Sequence, residues 1–204
     1  MQRLLFVDTE TTGLPRNRYS NAMQGAENWP DIVSIAWKIY DGPNCIKVEN
    51  HLIKPMDWTI SEGSTKIHGI TNEYAHAKGE NLHAVMLLLK KDLESSDSVV
   101  AHNLEFDKNV IFNAYKWRLD LNPWLFWPRD EICTMNRAEP ELKIPNKYPK
   151  EYRPYKSPSL AELYQATFQD TLPVGLQHSA DFDVGVLSDI YWKRWGPKDS
   201  ELAH

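Results

Sequence analysis

The 204-residue chain has few cysteines, no long apolar run and no excess of basic residues. Cys45 and Cys133 form no metal-ligand pattern, and their number favours two reduced, packed thiols over a disulfide. No stretch reaches the roughly 20 apolar residues of a transmembrane helix. The net charge of −5 argues against a protein that coats nucleic acid by bulk electrostatics. It does not exclude an enzyme that binds a few nucleotides.

The N-terminal segment MQRLLFVDTE lacks the features of a secretory signal peptide, because its apolar run is short and acidic residues follow it at once. We therefore expect a mature, cytoplasmic protein with no membrane partner. The 42% hydrophobic and 25% charged residues are ordinary for a globular protein. No internal repeat or linker is evident, and we predict a single domain over residues 1–204.

Apolar patterns along the chain predict both strands and helices. Strands are predicted at 3–9, 32–40, 45–54 and 98–101, with a hairpin turn at Asp41-Gly42-Pro43-Asn44. Helices are predicted at 81–95, 105–116, 159–168 and 180–195, with loops at 14–30 and 61–76, the latter holding short helical turns. Ser159 and Glu162, three residues apart, are spaced as a capping box for the third of these helices.

Residues 121–158 contain seven prolines and are predicted to be an irregular insertion. Tryptophans and tyrosines lie in or beside this insertion. They either stack on single-stranded nucleic acid or pack as core beneath a long loop, and the second interpretation is favoured.

Two acids at the end of the first strand give the strongest chemical signal. Asp8 and Glu10 are two residues apart, so a strand points both carboxylates to one face. Such carboxylates repel each other unless a cation lies between them, and oxygen ligands suit Mg²⁺ or Mn²⁺. The alternative is an exposed strand end with two solvated acids.

Two further groups of residues are weak signals when taken singly. Asp107 falls in the first turn of a helix, where the helix dipole favours an acid, and Asn103 could be a simple cap. His178 and Asp183 flank the start of the last helix, and they also fit an ordinary capped helix.

In this order along the chain, the three groups resemble the motifs of the DnaQ-like, DEDDh group of 3′→5′ exonucleases. The first motif, Asp-x-Glu-Thr-Thr-Gly, is matched at 8–13, His-Asn-x-x-Phe-Asp at 102–107, and His-x-Ala-x-x-Asp at 178–183. The segment Ile67-His68-Gly69-Ile70-Thr71 resembles a His-Gly-Ile segment of the family. The resemblance covers Leu4 to about Trp195 and implies an α/β, ribonuclease-H-like fold, with a central mixed β-sheet flanked by α-helices.

The resemblance also implies roles for individual residues. Two divalent ions, Mg²⁺ or Mn²⁺, would be held by four acids, and His178 would be the general base; the acids are Asp8, Glu10, Asp107 and Asp183. The positions that match the family's terminal-nucleotide pocket are Thr11, Thr12, Leu14, His68, Asn103 and Phe106. Asp181 is not at the matching spacing and is left out of the metal set.

The implied activity is release of nucleoside 5′-monophosphates from the 3′ end of a single strand or a duplex. DNA is slightly favoured, because the first motif and the His-Gly-Ile segment look most like those of proofreading members. The alternatives are an exoribonuclease and a non-catalytic nucleic-acid-binding module, which would usually lack one of the metal acids. A polymerase or another nucleic-acid-processing protein is a candidate partner. The loop after Leu14 and the 121–158 insertion are long for the family, which leaves substrate choice open.

Overall fold

A five-stranded mixed sheet lies at the centre of the computed structural model, which describes residues 2–173 and 178–197 apart from the Arg153 side chain. The strand order is β3-β2-β1-β4-β5. The strands are β1 (Arg3–Thr11), β2 (Ile32–Asp41), β3 (Asn44–Leu52), β4 (Ser98–Ala101) and β5 (Asp130–Cys133). The β3-β2-β1 part is antiparallel, and β1, β4 and β5 run parallel. The predicted α/β class with a central mixed sheet flanked by helices is confirmed.

The helices connect and cover these strands. They are α1 (Glu62–His68), α2 (Asn72–Lys78), α3 (Leu82–Glu94), α4 (Leu104–Asn113), α5 (Thr134–Leu142), α6 (Leu160–Phe168) and α7 (Ala180–Trp195). A π-helical turn, Ala114–Arg118, continues α4, and short 3₁₀ helices span Ala22–Gln24 and Pro123–Leu125. Ser159 and Glu162 form the capping box at the start of α6 that their spacing predicted.

The two faces of the sheet carry different apolar clusters because successive residues of a strand point to opposite sides. Leu5 and Val7 of β1 pack in a cluster with apolar residues of α3 and α4. Leu4 and Phe6 pack on the other face against α7. This alternation decides which helix each polar residue at the end of β1 meets.

The predicted hairpin between the second and third strands is also present. A two-residue connection, Gly42-Pro43, joins β2 to β3, and Gly42 has the left-handed φ of 57° that glycine tolerates. Cys45 and Cys133 are both free thiols, as predicted, but Cys45 is exposed rather than packed, and Cys133 is partly buried. Within residues 2–173 and 178–197, no helix combines the length and apolar character that crossing a bilayer would need.

The expectation of an irregular segment at 121–158 is wrong in part. The segment contains the edge strand β5, the helix α5 and a hairpin of two strands, β6 (Pro145–Lys150) and β7 (Arg153–Tyr155). β5 has only four residues and is ordered by pairing with β4, which no local pattern reveals. Helix α5 tolerates Pro140 close to its C-terminal end.

The aromatic residues of this segment divide between core and surface. Trp127 is only 7% exposed and donates its Nε1 hydrogen to Glu131, so it belongs to the core. Trp124 is 52% exposed and packs edge-on against Phe112. The packed interpretation therefore holds for Trp127 but does not extend to every aromatic residue of the segment.

Candidate active site

The end of β1 places two carboxylates beside the start of α7. Asp8 and Glu10 continue the row of Leu4 and Phe6, which faces α7. Glu10 is 9% exposed and Asp8 is partly buried. The solvated-acid interpretation of this strand end therefore does not describe Glu10.

Asp107 reaches the same strand end from the first turn of α4. Its Oδ1 accepts hydrogen bonds from the backbone N of Thr9 at 3.0 Å and from the Thr9 hydroxyl at 2.7 Å. Asp107 is 3% exposed, so a role limited to the helix dipole does not describe its position. The two bonds from Thr9 fix one carboxylate oxygen and hold α4 against β1.

Asp183 and His178 lie at the start of α7. The backbone N of His178 donates to Asp183 Oδ2 at 3.0 Å, and His178 has a left-handed φ of 64°. The neighbouring N-cap residue, Ser179, makes no side-chain capping bond. Asp183 therefore takes over part of the capping of α7 while it holds the backbone at His178. The imidazole of His178 itself remains exposed.

These residues converge on one point. Ligand atoms of Glu10, His178 and Asp183 lie within 4.8 Å of one another. Burial raises the pKa of the Asp8 carboxyl, and the nearby charges of Asp107, Asp183 and Glu10 raise it further. The structure thus brings together all five of the residues predicted to be catalytic. Asp181 is exposed and lies outside the Glu10–His178–Asp183 group, in line with its omission.

Burial is the main cause of the raised pKa values in this cluster of carboxyls. Burial, followed by Asp183 and Asp107, raises the pKa of Glu10 to about 8. Burial also raises the pKa of Asp107 to about 7, although the hydrogen bonds from Thr9 act in the opposite direction. The pKa of Asp183 is raised by burial and lowered by its bond from the His178 amide. All four carboxyls therefore hold their protons more strongly than exposed acids do.

The donor set fits a divalent cation. It offers carboxylate oxygens from three elements, β1, α4 and α7, and hard cations such as Mg²⁺ and Mn²⁺ prefer such oxygen ligands. A bound cation would relieve the mutual repulsion that raises these pKa values.

A cavity of about 460 Å³ opens beside the acids. Its walls include Glu10 and Thr11 of β1, Leu14, His68 and Phe106. Four of the six residues predicted to bind the terminal nucleotide therefore line one cavity next to the carboxylates. Segment 61–67 of the chain completes the wall with Ser61, Gly63, Ser64 and Ile67. Of these, the sequence analysis named only Ile67, as part of the His-Gly-Ile segment.

A second cavity, of about 550 Å³, shares Leu14 and Phe106 with the first. Asn103 lies in this second cavity, together with Trp29 and the exposed arginines of the 14–30 loop, Arg16 and Arg18. Leu14 is 83% exposed and stands between the two spaces. Asn103 has a left-handed φ of 70° and its side chain makes no capping bond, so the simple-cap interpretation is wrong.

Thr12 is not among the residues that line the cavity beside the acids. Its hydroxyl accepts a hydrogen bond from the backbone N of Asp31 at 3.1 Å, and its own N donates to the Asp31 carbonyl at 3.0 Å. Thr12 therefore anchors the end of the 14–30 loop. Thr9, by contrast, supports Asp107 in the site, although the sequence analysis did not predict a role for it. The signal was available, because Thr9 lies between the two acids and points to the α4 side.

His68 has a local role that its sequence motif did not disclose. Its Nδ1 accepts a hydrogen bond from the backbone N of Ile70 at 3.1 Å, which fixes the ring after the left-handed Gly69 that ends α1. Burial lowers the pKa of His68, the Thr11 carbonyl raises it, and the charge of His178 lowers it further. The ring is therefore held neutral between β1 and the start of α7.

Several solved structures of exonuclease I share this architecture. The structure of exonuclease I that "suggests how processivity is achieved" matches 96% of this chain with a TM-score of 0.72 and 22% identity. Escherichia coli exonuclease I in complex with a dT13 oligonucleotide matches 95% with a TM-score of 0.71 and 20% identity. The zinc-bound complex of the same enzyme with single-stranded DNA matches 96% with a TM-score of 0.69 and 21% identity.

At identities this low, the structural likeness shows the fold alone, which is the ribonuclease-H-like fold of these proteins. The chain spans 41 to 42% of the length of the matched exonuclease I chains. No protein-family model and no curated protein matches the sequence.

Proposed function

We propose that this chain is a metal-dependent 3′→5′ exonuclease of the DEDDh group that acts on single-stranded nucleic acid, with DNA favoured over RNA. The observation that carries the proposal is the meeting of Glu10, Asp183 and His178 within 4.8 Å, beside Asp8 and Asp107. Non-catalytic relatives on such a fold are expected to lose some of these acids, whereas this chain has all four.

Asp8, Glu10, Asp107 and Asp183 are the residues that would hold two Mg²⁺ or Mn²⁺ ions. Such ions supply charge stabilisation for in-line displacement at a phosphodiester and lower the pKa of an attacking water. Thr9 keeps one oxygen of Asp107 fixed by two hydrogen bonds, and the amide of His178 keeps one oxygen of Asp183 fixed. Each of these acids therefore presents its other oxygen in a set orientation.

His178 is the proposed general base. Its imidazole is exposed at the edge of the carboxylate cluster, where a ring nitrogen accepts the proton of water as the water oxygen bonds to phosphorus. The bond from phosphorus to the 3′ oxygen of the preceding nucleotide breaks, and that oxygen takes up a proton. The products are a nucleoside 5′-monophosphate and a strand with a new 3′-hydroxyl.

The cavity beside Glu10 is the proposed site for the terminal nucleotide. Thr11 offers polar atoms beside Glu10, and Phe106 offers an aromatic surface for a sugar or base. Leu14 and Phe106 separate this cavity from the next one, which suits a boundary between the last nucleotide and its neighbour. The presence of single-stranded oligonucleotides in exonuclease I crystals supports the single-strand assignment.

A time course on three 5′-labelled substrates tests the class of substrate. The substrates are single-stranded DNA, blunt duplex DNA and single-stranded RNA, each with Mg²⁺ or Mn²⁺. We expect a ladder that shortens one nucleotide at a time and fastest on single-stranded DNA. The Asp8→Asn protein, which keeps the shape of the side chain but not its charge, should leave every substrate intact. Faster digestion of RNA would replace the DNA assignment with an exoribonuclease, and equal activity of Asp8→Asn would refute the metal site.

A further inference from the structure

The β6–β7 hairpin differs in charge from the rest of the chain. Residues 143–156 contain five basic residues and one acidic residue, a net charge of +4 in a chain whose net charge is −5. The remainder therefore carries −9. A concentration of positive charge on one short ribbon attracts a polyanion locally even when the whole protein is acidic.

The hairpin also presents aromatic rings to solvent. Tyr148 is 74% exposed and Tyr152 is 79% exposed. Lys147 lies over the Tyr148 ring at 5.5 Å, and Lys150 lies over the Tyr152 ring at 5.6 Å. Each ring is thus paired with an ammonium group, the combination of stacking surface and positive charge that binds single strands without sequence preference.

Packing does not account for these residues. Lys147, Tyr148, Lys150 and Tyr152 are all exposed, and none of the four belongs to an apolar cluster of the described residues. Lys147 and Lys150 form no ion pair with any residue in the part of the chain that the structure describes. A two-stranded ribbon of this kind adds little stability by itself.

The root of the hairpin is tied to the rim of the candidate active site. The Lys156 amide donates to the Ile144 carbonyl at 2.9 Å and closes the ribbon, while the Lys156 ammonium pairs with Glu162 of α6. Just beyond it, the Pro158 carbonyl accepts a hydrogen bond from His102 Nε2 at 3.0 Å. His102 precedes Asn103, which lines the second cavity.

Both ring nitrogens of His102 make contacts at this junction. A carbonyl can only accept, so Nε2 of the neutral ring carries the hydrogen. Nδ1 lies 3.0 Å from the Thr134 hydroxyl, which also donates to the Ala101 carbonyl at 3.3 Å. Burial lowers the pKa of His102 and keeps it in this neutral form. The β4–α4 junction, the start of α5 and the base of the hairpin are therefore joined through one side chain.

We infer that the β6–β7 hairpin is a second nucleic-acid contact, which binds the single strand on the 5′ side of the nucleotides held in the two cavities. Lys147 and Lys150 contact phosphates, and Tyr148 and Tyr152 stack on bases. The inference rests on the proposed function, because it takes the strand in the cavities as its starting point. The hairpin would add affinity for long strands without taking part in the chemical step.

Two double variants of the full chain test this inference. Lys147→Ala/Lys150→Ala removes two charges, and Tyr148→Ala/Tyr152→Ala removes two rings. Exposed residues of α2 and α3 provide the controls: Lys78→Ala/Lys91→Ala for the charges and Tyr74→Ala for the rings. Binding is measured by fluorescence anisotropy with a single-stranded DNA of about 12 nucleotides, within the usual site size of single-strand binders. Its 3′-terminal linkages are phosphorothioates, so that it resists hydrolysis in Mg²⁺.

The lysine variant should bind more weakly, and the slope of log K against log salt should become shallower by about 1.4, which is about 0.7 for each phosphate that the variant no longer neutralises. The tyrosine variant should bind at least about fivefold more weakly for each base that no longer stacks. Both variants should hydrolyse the p-nitrophenyl ester of thymidine 5′-monophosphate at the wild-type rate, since this small substrate fills only the first cavity.

The outcomes separate the two proposals. If the wild-type chain cleaves the ester and the hairpin variants bind DNA as tightly as the controls, the hairpin assignment is overturned and the proposed function stands. If the wild-type chain cleaves neither the ester nor unmodified DNA, the proposed function fails, and the hairpin assignment fails with it. Loss of ester hydrolysis in the hairpin variants would also overturn the assignment, because it would show that the hairpin supports the site itself.

Discussion

At the scale of single residues, the four acids of the candidate site make the fold less stable when they are ionised. Burial raises the pKa values of Asp8, Glu10, Asp107 and Asp183, and repulsion from neighbouring carboxylates raises those of Asp8 and Glu10 further. A carboxyl whose pKa is higher in the folded protein than in the unfolded chain contributes most to stability at pH values below its unfolded pKa. That contribution is lost as the pH rises through the folded pKa.

This dependence of stability on pH gives a prediction for the metal-free protein. For Glu10 the window runs from the ordinary value of 4.5 to about 8. In chelator, the melting temperature should fall across this range, and saturating Mg²⁺ should restore much of the loss at pH 8. Glu10→Gln should melt higher than the wild type at pH 8 without metal, by about 2–4 °C for each kcal/mol of repulsion removed.

The exposed Glu62 on α1 provides the control for that experiment. Glu62→Gln should follow the wild-type profile, because it removes one negative charge without touching the cluster. Scanning calorimetry or dye-based melting at several pH values measures all three proteins. A Glu10→Gln protein with the same pH profile as the wild type would show that this carboxyl does not titrate as described.

His178 gives a second prediction at this scale. Positioned proton transfer contributes about 10²–10⁴-fold to turnover, so His178→Ala should lower kcat by that range. Metal affinity should be largely kept, because the four carboxylates remain. His83, exposed on α3, is the matched control, and His83→Ala should keep the wild-type kcat. A His178→Ala enzyme within a few-fold of wild-type kcat, at saturating metal and substrate, would remove the general-base assignment.

At the scale of structural elements, the long 14–30 loop is an ordered wall of the second cavity. The Asn109 side chain accepts a hydrogen bond from the Ala22 amide at 2.8 Å, and the Trp117 indole donates to the Ala22 carbonyl at 2.7 Å. Arg118 clamps the end of the loop with two bonds to Asp31, both at 2.9 Å, and it also binds Asp57. Helix α4 and its π-helical extension thus hold the loop in place.

Arg118→Ala should loosen this loop. We expect a loss of about 1 kcal/mol in the free energy of unfolding, because the ion pairs are only partly shielded from solvent. Trypsin should cleave faster after Arg16 and Arg18, which are exposed in the loop. The KM for oligonucleotides should rise more than kcat falls. Arg129→Ala, at another exposed arginine, should behave like the wild type. Unchanged trypsin cleavage of Arg118→Ala would contradict the clamp.

Sequence patterns were sufficient for the elements that have strong local signals. The apolar runs of β1 and β2, the capping box of α6 and the bounds of α7 were predicted, because each depends on neighbouring residues. Strand β5 could not be predicted, because its four residues become a strand only by pairing with β4. The hairpin β6–β7 was hidden by the prolines at 145, 149 and 154.

The same division holds at the candidate site. The resemblance to the exonuclease motifs implied that Asp8, Glu10, Asp107, His178 and Asp183 would meet, and the structure places them together. The support from Thr9 and the anchoring role of Thr12 depend on contacts with distant residues, Asp107 and Asp31. The alternation of β1 shows which way Thr9 points, but the partners of Thr9 and Thr12 lie too far along the chain for a local pattern to reveal them.

At the scale of the whole molecule, one sheet brings all the chemistry to a single edge. The end of β1, the start of α4 after β4, and the start of α7 meet there, as ligand sites of open α/β sheets do. This chain spans less than half of each matched exonuclease I chain. A divalent cation at this edge would offset the negative charge of the carboxylates, which burial makes costly.

The most direct test of the account compares a linear and a circular strand of the same DNA sequence. With Mg²⁺, the linear strand should be digested from its 3′ end and release nucleoside 5′-monophosphates, whereas the circle should stay intact. Excess chelator should stop digestion, and renewed Mg²⁺ should restart it. Cutting of the circle, release of products from the 5′ end, or undiminished digestion in chelator would contradict a metal-dependent 3′→5′ exonuclease.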